Sequence, residues 1–197
     1  MDTLFLSNHD HNILLICQTG GWLSIGNITL DDPNQIVTTY DTYIANPTSL
    51  HQIQPSQNGQ FLLNHDDVQT LFKNHGYSEL RVKCFKPWHG RTLDAVLYES
   101  KTYQFINRDQ SETEGMCGNV RFLENDNSVI STEPCDKQII GIDWEEQHPG
   151  ILYYDHTLWA RNIGHVILHK VYGRFECDDW NMQKNYQETG NWQFFIR

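Results

Sequence analysis

Apolar and polar positions in this chain follow two different periods, and the change between them is sharpest over residues 59–92. Val68, Leu71 and Phe72 stand at i, i+3 and i+4, which places them on one face of a helix. Asn64 supplies an N-cap, Asp66 and Asp67 put negative charge in the first turn, and Gly76 supplies the stop. The period then shortens to two. Leu80, Val82, Cys84 and Trp88 are set apart from charged Arg81 and Lys83, which predicts a half-buried strand running up to Pro87 and into a polar hairpin. Trp88, His89 and Arg91 are expected to be hairpin and core residues.

Elsewhere the pattern is shorter-ranged. Residues 1–12 read as polar and irregular. An apolar run over 12–16 predicts a strand that ends at Cys17, Gly20 and Gly21 make a turn, and alternation over 22–28 predicts the second strand of a hairpin. Residues 31–58 are rich in turn formers, with one strand expected over 36–43. Strands are expected over 93–98 and 102–106, followed by an acidic polar loop over 107–115 and renewed alternation over 117–123. Between 156 and 169, Leu158, Trp159, Val166, Ile167 and Leu168 with Gly164 among them predict helical turns broken by a loop. Residues 192–197 predict a final strand of the core.

Composition narrows the function. The 197 residues suit one domain, and no apolar run reaches the ~20 residues needed to span a bilayer. The formal net charge of −11 argues against nucleic-acid binding, which needs clustered Lys and Arg. Five cysteines, at 17, 84, 117, 135 and 177, contain no CxxC pair, so a zinc ribbon or thioredoxin-like site has no local support. Two disulfides with one leftover thiol is the extracellular reading, and five reduced, buried cysteines is the intracellular one. Asn27-Ile28-Thr29 is a glycosylation sequon. The N-terminus does not read as a signal peptide.

Catalytic signals are sparse. There is no nucleophile elbow, Walker loop, dinucleotide fingerprint or HExxH, and no catalytic residue is assigned. Cys17 is the one nucleophile to weigh for a cysteine/histidine hydrolase, but four residues separate it from Trp22, where a papain-like segment needs them adjacent. His156, His165 and His169 form a histidine set with the last two at i, i+4, yet Val166 stands where a zinc protease needs glutamate. The cluster Glu124, Asp126 and Asn127 has the oxygen chemistry of a calcium loop without the EF-hand pattern.

In order and spacing, Gly59, Phe61, Leu63, Asn64, Leu71, Leu80, Arg81, Val82, Trp88, Gly90 and Thr92 resemble the central block of the fibrinogen C-terminal-like domain. The Cys17 hairpin with its Gly-Gly-Trp resembles that family's opening, and 192–197 its last strand. The resemblance implies an α+β fold: a single domain over 1–197 with a twisted, mainly antiparallel sheet, short helices and long loops. Its parts would be an N-terminal hairpin (12–30), a helix–strand scaffold (59–106), a loop-rich ligand and metal region (107–182) and the last strand (191–197). It implies a Cys135–Cys177 disulfide, which leaves Cys84 and Cys117 as a second pair. It also implies Ca²⁺ at Glu124, Asp126 and Asn127, with glutamate a departure from the family's aspartate.

The activity so implied is extracellular, secreted, lectin-like recognition of glycans or acetylated surface ligands. Loops 124–136 and 174–182 would form the site, with Tyr153, Tyr154, Glu176, Cys177 and Trp180 as ligand contacts. Family members multimerise through an N-terminal segment, so a homo-oligomer is an expectation too. A structural or adhesive domain without a small ligand is the alternative to recognition.

Overall fold

The computed structural model describes residues 3–8, 11–18, 21–52, 59–99, 102, 113–140, 158–160, 164–169, 174–179 and 189–197. Two mainly antiparallel sheets and a few short helices make up the fold. The larger sheet has the order β1-β2-β3-β13-β5-β6-β8, with β4 paired to β3. Its strands are β1 (Thr3–Asn8), β2 (His11–Gln18), β3 (Trp22–Leu30), β4 (Phe61–Leu62), β5 (Glu79–Phe85), β6 (Thr92–Tyr98), β8 (Val120–Phe122) and β13 (Gly190–Ile196). The smaller has the order β12-β11-β10-β9-β7, built from β7 (Thr113–Glu114), β9 (Gln138–Ile140), β10 (Leu158–Ala160), β11 (Gly164–His169) and β12 (Arg174–Asp179). No described helix is long and apolar enough to cross a membrane.

Cross-strand rows build the core. Trp192, Cys84 and Leu93 lie side by side on β13, β5 and β6, as do Phe194, Val82 and Ala95, and Ile196, Leu80 and Leu97. All nine are buried. Against this face packs α2 (His65–His75), which buries Val68 and Leu71. Its start is fixed locally: Asn64 Oδ1 accepts the Asp67 N–H at 2.8 Å, and Asp67 Oδ2 accepts the Leu50 N–H at 2.6 Å. Gly76 ends it in the left-handed conformation, φ +68°. Gly26 on β3 is a close approach, since a Cβ there would lie 2.6 Å from Leu62 Cδ1 and 3.2 Å from Phe194 Cδ2.

The opposite face of the larger sheet is built on cation–aromatic and ionic contacts. Arg81 reaches Asp94 through two parallel bonds of 2.7 Å, and its guanidinium lies 5.5 Å from the Phe195 ring centroid and 5.8 Å from that of Trp22. Trp22, Phe195, Val96 and Asp94 are all buried there.

The helix, β5, β6 and β13 follow the sequence pattern, and the Cys17 turn forms the expected hairpin of β2 and β3. Three segments differ. Residues 3–8 are a strand: β1 pairs along its whole length with β2, from Thr3↔Ile16 to Asn8↔His11. Residues 36–44 are helical, with α1 (Ile36–Thr39) entered through Asp32 and Pro33 and continued by a wide turn over Tyr40–Ile44. Ile36, Thr39, Tyr40 and Ile44 are the buried positions, the i, i+3, i+4, i+8 spacing of one helical face, and it outweighs the β-branched composition. Residues 158–160 and 164–169 are strands, and Gly164, Val166 and Leu168 are buried. Of the strand expected over 102–106, only Thr102 lies within the described residues.

The disulfides also correct the expectation. Cys84 on β5 bonds Cys177 on β12, and Cys117 bonds Cys135; neither Cys135–Cys177 nor Cys84–Cys117 forms. Cys84 faces the core row that β12 covers, with the Cα atoms 5.8 Å apart. Cys117 meets Cys135 because Met116 N–H donates to the Cys135 carbonyl at 2.7 Å. By the chain-entropy argument, the 93-residue separation of Cys84–Cys177 stabilises by about 4–5 kcal/mol and the 18-residue one by about 3 kcal/mol.

Removing one member of the buried Arg81–Asp94 pair leaves a charge without its partner. Asp94→Ala is therefore expected to lower the unfolding free energy by about 3–5 kcal/mol, read from urea denaturation.

Candidate functional site

The turn from β5 to β6, residues 86–91, has the sequence KPWHGR. Pro87 ends the strand because it has no N–H for the ladder. Gly90, at φ +69°, donates to the Lys86 carbonyl at 3.0 Å and closes the turn. Within it, His89 Nδ1 accepts the Arg91 N–H at 2.9 Å, so the ring proton sits on Nε2, 3.1 Å from the Cys177 carbonyl.

Every polar side chain of this turn reaches the end of β12. Lys86 Nζ lies 2.7 Å from Asp179 Oδ2, and both side chains are fully enclosed. Trp88 Nε1 donates to Asp179 Oδ1 at 3.3 Å, and His89 Nε2 lies 3.6 Å from the same oxygen. Arg91 Nε donates to Asp178 Oδ2, and Arg91 Nη2 to the Asp178 carbonyl, both at 2.6 Å. Asp178 has a left-handed backbone, φ +58°, which turns its carboxylate away from that of Asp179. There it also accepts the N–H groups of Val129 and Ile130 at 2.7 and 3.0 Å. Gly164 makes room for it, since a Cβ on that residue would stand 2.6 Å from Asp178 Oδ1.

The two carboxylates are tuned in opposite directions. Burial pushes the Asp178 carboxyl above its ordinary value, against the pull of the Val129 and Ile130 N–H groups and of Arg91. Burial also acts on Asp179, but His89, Lys86 and the Cys177 N–H outweigh it and hold that carboxyl below the ordinary value.

Loops 124–136 and 174–179 do meet, through Asp178. Several residues expected to touch a ligand there do other work. Glu176 is 2% exposed, paired with Arg174, and its carbonyl accepts Trp192 Nε1–H at 2.9 Å. Cys177 is enclosed in its disulfide. Both are thus corrected from ligand contacts to framework. Tyr153, Tyr154 and Trp180 lie outside the described residues.

The proposed calcium oxygens are engaged as well. Asp126 Oδ1 accepts the Ser128 N–H and hydroxyl, Oδ2 accepts the Asp94 N–H at 2.8 Å, and Asn127 Oδ1 accepts the Thr92 N–H at 2.6 Å. Glu124 is exposed and apart from these bonds. As arranged, Asp126 and Asn127 tie the loop to β6. Among the described residues, no group of three or more His, Cys, Asp or Glu is arranged so that it could hold a metal ion.

Asn27 lies within β3, half-buried, with its Oδ1 accepting from Asn191 Nδ2 at 3.0 Å. His165 and His169 stand on a strand, where four residues span roughly 13 Å, and not on one helical face. His156 lies outside the described residues.

Trp88 differs from expectation in the other direction. It is 45% exposed, and Phe85 beside it is 40% exposed. Val37, Phe85 and Trp88 are the large apolar side chains left in solvent among the described residues, so this turn and the strand residue that enters it carry two of the three. His89 and Lys86 beneath them are buried. Period-two alternation assigned Trp88 to the buried face, but Pro87 ends the strand first and the turn swings the indole outward. The sequence sign of this was the proline; the partners of the turn, 87 to 91 residues away, left no local sign. The chain matches no family model, no curated protein and no solved structure in comparison.

Asp179 is the group to test. Its folded-state carboxyl lies below the unfolded value, so its stabilisation is complete at neutral pH and is lost as pH falls through the folded value. Asp179→Asn is expected to cost about 3–5 kcal/mol at pH 7, because buried Lys86 loses its counter-charge. The gap between wild type and variant should hold down to about pH 5 and narrow only below the ordinary aspartate value of 3.8. Denaturant midpoints across pH check both.

Proposed function

We propose that this chain is an extracellular recognition module, fibrinogen-like and lectin-like in character, that binds glycans or acetylated surface ligands and does not transform them. The observation that carries the reading is the exposed Phe85–Trp88 pair on a turn held rigid from below. Neighbouring exposed aromatics offer large apolar contact area to a ligand, and a pre-ordered turn loses little entropy on binding. The disulfides suit an oxidising compartment.

The polar groups under the turn support binding over catalysis. Both His89 nitrogens are engaged with backbone, and Lys86 is paired with Asp179. A general base needs an accessible lone pair within reach of substrate, and this cluster presents none. The aromatic turn uses none of the oxygens of Glu124, Asp126 and Asn127, so the binding proposed there does not depend on calcium at that loop.

A glycan array probed with the full chain tests this. Binding is expected with and without EDTA, and Trp88→Ala is expected to weaken it by about tenfold with the fold intact by circular dichroism. Absence of binding in both conditions would overturn the reading.

A further inference from the structure

The exposed aromatic turn borders a cleft of about 310 Å³, lined by Thr29, Leu30, Asp31, Phe85, Pro87, Thr189, Gly190 and Asn191. That volume lies at the small end of the roughly 300–1,000 Å³ range of ligand sites, room for one sugar-sized ring. Its floor is a single cross-strand row. Thr29 on β3 pairs with Asn191 on β13, which pairs with Phe85 on β5, so all three belong to one face of the sheet. Asp31 and Pro87 follow the ends of β3 and β5 and form the walls.

The lining has a consistent chemistry. Phe85 and Pro87 give an apolar surface on which the C–H face of a ring can lie. Asn191 is fixed by its Nδ2, which donates to Asn27 Oδ1, the Ile28 carbonyl and Thr29 Oγ1 at 3.0, 3.3 and 2.9 Å. Its Oδ1 is left as an acceptor, without a donor among the described residues. The Asp31 carboxylate is exposed and likewise accepts no hydrogen bond from the described residues. Acceptors beside an apolar surface call for a ligand rich in hydroxyl donors. The lining contains a carboxylate and no Lys, Arg or His, and the chain carries −11, so an acidic ligand is repelled.

We infer that this cleft is the binding site for a neutral sugar ring, stacked on Phe85 and donating hydroxyls to Asp31 and Asn191, and that it rejects acidic sugars. The inference rests on the recognition reading and narrows it to one place and one ligand class. It moves the site off the loops around 124–136 to the sheet end beside Trp88.

Backbone-amide NMR titration of the full chain tests it, with galactose, mannose, glucose and N-acetylglucosamine as neutral probes and glucuronic acid as the acidic one. At least one neutral sugar is expected to shift the amides of 29–31, 85 and 189–191, and glucuronic acid to shift none of them. Phe85→Ala and Asp31→Ala are each expected to weaken that binding by about tenfold. Asp31→Asn, which keeps an acceptor but removes the charge, is expected to retain neutral binding and admit glucuronic acid. Neutral sugar binding that survives both alanine variants, or shifts confined to another face, would overturn the cleft while leaving recognition standing. No shift with any sugar, together with a blank array, would overturn both.

Discussion

Asp178 and Asp179 are adjacent in sequence, yet they face opposite ways and hold different parts of the molecule. The left-handed backbone at Asp178 makes this division possible. One carboxylate gathers Arg91 and the N–H groups of Val129 and Ile130; the other neutralises Lys86 inside the protein. Together with the Cys84–Cys177 bond two residues earlier, they fasten the smaller sheet to the β5–β6 turn of the larger. Ions enclosed this far from water are tolerated only when each has its partner, so the arrangement is all-or-none. The exposed aromatic faces above it inherit that rigidity, and Trp88 adds to it through its Nε1 bond to Asp179.

The division between framework and surface follows the same line. The residues with the most reactive-looking chemistry, Lys86, His89, Glu176 and Cys177, are enclosed and committed. The residues that face solvent beside them are chemically mild: Phe85, Pro87, Trp88, Asp31 and Asn191. A reading that ranks side chains by reactivity would pick the wrong set. Burial and hydrogen-bond occupancy rank them differently, and the difference separates a binding surface from a catalytic one.

How much of this was legible depends on the range over which each feature is encoded. Helix α2 was readable because its cap, its apolar face and its glycine stop lie within thirteen residues, 64–76. Strand β5 was readable because its alternation is unbroken, and β13 because it carries a short aromatic and apolar run over 192–196. The helical segment at 36–44 hid behind Ile36, Val37, Thr38 and Thr39, whose β-branched shapes suggest strand, although the buried positions 36, 39, 40 and 44 have helical spacing. Gly164 misled in the opposite sense: it is not a break but the gap that Asp178 fills. Disulfide partners and the Lys86–Asp179 pair depend on which strands face each other across the core, and no local pattern carries that. The cleft is less legible still, since its three floor residues come from three strands far apart in the chain.

The place of β13 has a bearing on how the molecule is made. It lies between β3 and β5, and residues 190–196 pair with 23–30 on one side and 80–85 on the other. Until that segment has been synthesised, β3 and β5 each present an unpaired inner edge and a face of large apolar side chains. Hydrophobic helix–strand units such as α2 with β5 can form early, but the sheet cannot close. The decisive step is therefore a long-range pairing, slow by the measure of contact order, with open strand edges exposed to association in the interval. A nascent chain of this design depends on holding partners, or on the speed of that one pairing, in a way that a chain with this strand at the rim of its sheet does not.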